Sequence, residues 1–88
     1  MNLEQHVKIN HINFLAKQIR EMEEFVNDFA MLEKIYIEGF IEGDTEPTYT
    51  LPNVSEYVAG SIRNALENQI EINEREIKML LKELKGEL

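Results

Sequence analysis

Lys34-Ile35-Tyr36-Ile37-Glu38-Gly39-Phe40-Ile41-Glu42-Gly43-Asp44-Thr45-Glu46-Pro47-Thr48-Tyr49-Thr50-Leu51 occupies the middle of an 88-residue chain, and its pattern decides the fold. Ile35, Ile37 and Ile41 alternate with Tyr36, Glu38 and Phe40, a period of two. Thr48-Tyr49-Thr50-Leu51 follows after a run of Gly, Asp and Pro. β-branched and aromatic residues on both sides of such a breaker predict a short hairpin over about 34–51. A lone two-stranded hairpin is marginal in water, so it is expected to rest on other elements or to pair its edge with another chain.

On either side the period changes. From Leu3 to about Leu32 there is no Gly or Pro, and Ile12, Leu15, Ile19, Met22, Val26 and Phe29 recur at steps of three and four, the stripe of a helix. With Leu3, Val7, Phe14, Phe25, Ala30 and Leu32 added, the apolar arc widens to roughly 180°, more than one partner helix covers. A second helix is predicted from Val54 to about Lys85. Asn53 and Glu56 are placed as its capping box, Lys82 and Lys85 complement the dipole of its last turn, and Gly86 is available for a left-handed cap. Both helices would be about 45–50 Å long. The short connection requires them to fold back antiparallel. The expected fold is therefore mainly α: one domain over 1–88, two long antiparallel helices joined by a β-hairpin, assembled as a homo-oligomer. In layout alone this resembles the prefoldin type of coiled coil with a hairpin at its tip.

Composition supports assembly. A domain this small buries only about 60% of the surface of its unfolded chain, and with no cysteine it has neither a disulfide nor a thiolate metal site to reinforce it. The hydrophobic fraction of 43% is too high for a disordered acidic tail. The longest apolar run falls far short of the roughly 18 residues of a membrane span, and the start, Met1-Asn2-Leu3-Glu4-Gln5-His6, lacks the pattern of a signal peptide. A cytoplasmic protein with no membrane association is expected.

The formal charge of −8 is unevenly placed. Between Glu21 and Glu46 lie nine acidic residues against Lys34 alone, while the remainder carries eight of each sign. Several of these acids fall near a helix C-terminus, where a carboxylate costs a few tenths to about 1 kcal/mol. Glu24, Asp28, Glu38, Glu42, Asp44 and Glu46 are the expected contacts for a basic protein surface, with solubility and protection of the hairpin edges as the alternative explanation. Direct nucleic-acid binding is not expected without a basic footprint.

Polar residues interrupt both stripes. Lys8, His11 and Gln18 lie on or beside the apolar arc of the first helix, which is costly unless each finds a partner. Gln69, Asn73 and Glu76 break the stripe of Val58, Ile62, Leu66, Ile70, Ile77, Leu80, Leu81 and Leu84 on the second. Asn73 is the candidate for fixing oligomer register, as a buried coiled-coil Asn does. Lys8, His11 and Arg63 with Tyr36, Tyr49 and Tyr57 are the candidates for an anionic-ligand pocket between subunits. Ala59-Gly60-Ser61 marks a place where a ligand or another backbone could approach α-helical backbone closely.

Catalysis has little support: no phosphate loop, nucleophile elbow or acid–base pair is present, and no cofactor is expected. His6 and His11 diverge by roughly 140° on a helix and make no metal pair. Glu21, Glu24 and Asp28 share a face but fall short of the oxygens calcium requires. Three functions remain, in order: a stoichiometric adaptor or inhibitor of a protein partner, of the kind phages and mobile elements encode; an oligomer sequestering a small anionic metabolite or nucleotide; and a structural assembly unit.

Overall fold

The computed structural model describes residues 2–51 and 54–87. Helix α1 spans Leu3–Asp28 and runs into a single 3-10 turn, Phe29–Met31. Strands β1 (Ile37–Gly39) and β2 (Tyr49–Leu51) follow, then helix α2, Glu56–Glu87. The two helices pack antiparallel, and the molecule measures 50 × 32 × 16 Å with a radius of gyration of 17.3 Å. A compact chain of this length would have a radius near 12 Å. It is a rod, folded back once at the hairpin.

α1 begins with a reciprocal cap that the residue types explain. The Gln5 backbone N–H donates to Asn2 Oδ1 at 2.9 Å, and the Asn2 N–H donates to Gln5 Oε1 at 3.0 Å. Two of the helix's orphan donors are thereby satisfied. At its other end α1 has no basic residue in its last turn. The acids Glu23, Glu24 and Asp28 oppose the dipole there, and the chain leaves the helix through the 3-10 turn into extended Leu32.

The hairpin is antiparallel, with Ile37 opposite Leu51, Glu38 opposite Thr50 and Gly39 opposite Tyr49. Each strand is only three residues long. The Thr48 N–H donates to the Gly39 carbonyl at 2.8 Å, and the Val54 N–H donates to the Ile35 carbonyl at 3.1 Å, so the pairing continues past both ends of the ladder. In the connecting loop the Asp44 N–H donates to the Ile41 carbonyl, Thr48 Oγ1 donates to Asp44 Oδ2, and Gly43 holds φ at +90°. That angle suits a residue without Cβ.

The expected helix–hairpin–helix order holds, with shifted limits. The first helix gives way to the 3-10 turn three residues before Leu32, the β-structure is a small part of 34–51, and the second helix is uninterrupted through Gly86. Gly86 is thus a helical residue and not a left-handed cap. The capping role assigned to Asn53 lies outside the described residues. Instead Ser55 Oγ accepts from the Val58 N–H at 3.3 Å.

Among the described residues only Leu15 (4% exposed) and Ala59 are buried apolar side chains, joined by the polar Gln5 and Asn73. Ile12, Ile19, Met22, Val26, Leu66, Ile70, Ile77, Leu80 and Leu84 are half-buried along the seam. The rest of the wide arc stays open: Leu3, Val7 and Phe14 on α1, Ile72 and Met79 on α2 are exposed by half or more. One partner helix indeed leaves it uncovered.

Candidate functional site

The polar residues that interrupt the two stripes meet one another. Asn73, 2% exposed, donates through Nδ2 to Gln18 Oε1 at 3.3 Å and accepts from Gln69 Nε2 at 2.8 Å. His11 Nε2 lies 3.6 Å from Glu76 Oε1, and Lys8 Nζ lies 3.6 Å from Glu83 Oε2. Stepping along α1 from Lys8 through His11 to Gln18 steps down α2 from Glu83 through Glu76 to Asn73. Each costly group on one helix thus finds its complement on the other. No buried side-chain nitrogen or oxygen among the described residues lacks a hydrogen-bond partner. The partly exposed Lys8–Glu83 ion pair adds no more than about 1 kcal/mol, so the main effect of these contacts is to set the register of the pairing.

That register has consequences for charge. It folds the acidic stretch of α1 and the hairpin against the first turns of α2, bringing Glu56 and Glu67 to the same end. Residues 21–67 carry eleven acids against Lys34 and Arg63, a net charge of −9, and the remaining residues carry six acids against seven bases, a net +1. One end of the rod is strongly acidic and the other nearly neutral. Glu24, Asp28, Glu38, Glu42, Asp44 and Glu46 are all exposed at the acidic end. Beside them the hairpin exposes Tyr36, Phe40, Ile41, Tyr49 (70%) and Leu51 (59%).

A cleft of about 420 Å³ opens at the base of the hairpin, lined by Phe29, Ala30, Leu32, Glu33, Lys34, Ile35, Val54, Glu56 and Ala59. Its volume falls within the range of ligand sites. Phe29, Ala30, Leu32, Ile35, Val54 and Ala59 supply its apolar surface, and Glu33, Lys34 and Glu56 supply the charges. Sequence reasoning missed this cleft because it depends on where the end of α1 meets the start of α2, a long-range relation that no local motif encodes. The buried Ala59 was the available signal, as part of the small-residue run.

The six residues considered for an anionic ligand divide between the two ends within one chain. Lys8 and His11 lie toward the open end, each beside a carboxylate of α2. Arg63 lies toward the hairpin, with Nε 3.3 Å from Glu67 Oε1 and its guanidinium 5.5 Å from the centroid of the Phe29 ring. Phe29 in turn stacks edge-on against Phe25 at 6.1 Å. Tyr36, Tyr49 and Tyr57 are exposed at the hairpin end. At Gly60 an added Cβ would meet nothing within 4 Å among the described residues, so none of their backbone outside α2 itself approaches it closely.

Among the described residues no three His, Asp or Glu side chains gather as a metal site would, and no helix is long and apolar enough to cross a membrane. In comparisons with known proteins the chain matches no family model, no curated protein and no solved structure.

Proposed function

We propose that the chain is a non-enzymatic binding protein that works as a homo-oligomer and docks a basic protein surface stoichiometrically, as an adaptor or inhibitor. The observation that carries this reading is the concentration of charge: a net −9 over residues 21–67, at the end that also exposes the aromatic and aliphatic side chains of the hairpin. Solubility alone would be served by spreading the charge. Acids interleaved with exposed Tyr, Phe and Ile are the composition of a contact surface, in which apolar anchors give affinity and charge gives steering and selectivity. The cleft between Phe29, Ile35, Val54 and Ala59, with Glu33 and Glu56 among its lining, suits the aliphatic stem and cationic head of an Arg or Lys.

The test is titration of an Arg-rich peptide carrying one Leu or Phe anchor, followed by calorimetry in low and in physiological salt. Affinity should fall at least tenfold as the Debye length shrinks toward about 8 Å, and it should be lost when Glu42, Asp44 and Glu46 are changed together to Lys. Binding indifferent to both salt and charge reversal would overturn the reading.

A further inference from the structure

Two charged surfaces at opposite ends of the chain match each other in number and kind. Near the open end, from Ile77 to Gly86, α2 carries Lys78, Lys82 and Lys85 against Glu83 alone. Glu83 is engaged by Lys8 of α1, 3.6 Å away. The three lysines follow at steps of four and three, so they share one side of the helix, with Leu81 among them. Together with Leu84 they line a groove of about 530 Å³. All three are exposed, and none forms an ion pair among the described residues, whereas Lys8, Lys17, Arg63 and Arg75 each do. The helix dipole explains Lys85, the basic residue of the last turn. Its influence fades within one turn of the end, and Lys78 and Lys82 stand nine and five residues before Glu87.

At the other end, residues 35–55 carry Glu38, Glu42, Asp44 and Glu46 and no base. Glu42, Asp44 and Glu46 stand at alternate positions of the loop that joins β1 to β2, all exposed and without an ion pair among the described residues. Phe40 and Ile41 lie open beside them, at 54% and 56% exposure. The three acids span no more than about 14 Å, the reach of four Cα steps, and Lys78 to Lys85 spans about 10 Å along α2. Within one chain the two sets do not meet, since every residue lining the groove belongs to α2.

We infer that the groove of Lys78, Lys82 and Lys85 receives the Glu42–Glu46 loop of a second copy of the chain, three ammonium groups against three carboxylates, with Phe40 and Ile41 brought to Leu81 and Leu84. Other anions match less well. A basic cluster that holds an anionic membrane carries roughly four to eight Lys or Arg, and nucleic acid asks for a broader footprint of neutralised phosphates. An acidic loop with apolar flanks fits both the number of lysines and the leucines between them. The two surfaces differ, so the contact is heterologous, and copies join reciprocally in pairs or head to tail in a row. This inference rests on the reading of the acidic end as a docking surface for basic groups. It adds that the chain carries such groups itself, so that a basic partner displaces one copy from another.

Charge exchange between the two surfaces tests the contact. Light scattering at tens of micromolar in low salt should give a mean mass above the 10.3 kDa of one chain, falling as physiological salt screens the charges. One variant joins Lys78→Glu, Lys82→Glu and Lys85→Glu, and another joins Glu42→Lys, Asp44→Lys and Glu46→Lys. Each alone should lose the salt-sensitive association, and an equal mixture should regain it, because every loop then finds a groove of opposite sign. Each triple reversal moves the net charge of −8 by six, so both variants stay negative and general attraction does not bring them together. Lys78→Gln with Lys82→Gln leaves Lys85 to the helix dipole and should raise the dissociation constant roughly fivefold with the ellipticity at 222 nm unchanged. A mixture that stays as small as its components, or association indifferent to the Lys variants, would overturn the contact. So would Lys variants that lose binding to phosphatidylserine vesicles while self-association is unmoved, which would give the groove to a membrane. The Lys variants keep the acidic end and should bind the Arg-rich peptide at least as tightly as the unaltered chain. Peptide binding without salt-sensitive self-association would sink this contact and leave the docking reading standing, while absence of both would sink the two together.

Discussion

Asn73 and Gln18 lie 55 residues apart in sequence, and the hydrogen bond from Asn73 Nδ2 to Gln18 Oε1 is where the two helices lock together. Its position between Leu66 and Leu80, one heptad away on either side, makes Asn73 a polar residue at a site an apolar one would fill. Replacing Asn73 with Leu should raise the unfolding free energy by about 1 kcal/mol. Gln69 is exposed and Gln18 half-buried, so water can satisfy both when the amide is gone. The cost is uniqueness: with no polar group to be matched, α2 can slip along α1, and doubled amide resonances in a two-dimensional NMR spectrum should report the second register. Lower thermal stability with a single set of resonances would show that the amide contributes net energy rather than register.

The sequence made the helices and the turn between them readable because periodicity and breakers are local. The 3.6-residue stripe through Ile12, Leu15 and Ile19 needs no knowledge of what lies opposite. The polar ladder was half legible: Lys8, His11 and Gln18 stood out on one helix and Gln69, Asn73 and Glu76 on the other. What joins them is the antiparallel register, which depends on hairpin geometry 20–50 residues away. Reading the two lists in opposite directions gives the sense of the pairing but not the partners, since Lys8 meets Glu83, which stands outside the second list. The Asn2 cap was missed for a different reason. Asn followed three residues later by Gln is a cap signature in its own right, but both residues sit among others that read as ordinary helix. Conversely, Gly86 had the right composition for a helix stop, and hydrogen bonding in the last turns carries the helix past it.

Leu15 is the most buried apolar side chain among the described residues, and so few others share its burial that its loss weighs heavily. Leu15→Ala should cost about 2–4 kcal/mol through lost transfer energy and a residual cavity. Against a total of roughly 5–15 kcal/mol for a small domain, that loss should lower the midpoint of a thermal melt, followed by circular dichroism at 222 nm, by more than 10 °C. Leu81→Ala, at a site that is 48% exposed, should shift it far less. Equal shifts would mean that Leu81 is buried in the working form, against another chain.

The cap between Asn2 and Gln5 predicts a local effect. Asn2→Ala removes the acceptor of the Gln5 N–H and should cost about 1 kcal/mol. Because the loss falls on the first turn, amide exchange of the residues from Leu3 to His6 should quicken several-fold while exchange near Leu15 slows or quickens only with global stability. Asn2→Ser should restore most of the protection. Uniform quickening along α1 would place the effect in the seam and not in the cap.

Two glycines should respond to the same substitution with opposite signs. Gly60 lies inside α2 with helical backbone, and a Cβ there would meet no atom within 4 Å. Gly60→Ala should therefore stabilise the chain by roughly 0.5–1 kcal/mol, the helix-propensity difference, partly by restricting the unfolded chain. Gly43 also has open space around it, but its φ of +90° is one that a side chain disfavours. Gly43→Ala should destabilise the hairpin by about 1 kcal/mol, readable as loss of protection at the Thr48 and Asp44 amides while the helices melt nearly unchanged. Gly60→Ala should also leave the mass in light scattering untouched. If it instead lowered the mass or the melting temperature, a second backbone must approach α2 at Ala59-Gly60-Ser61.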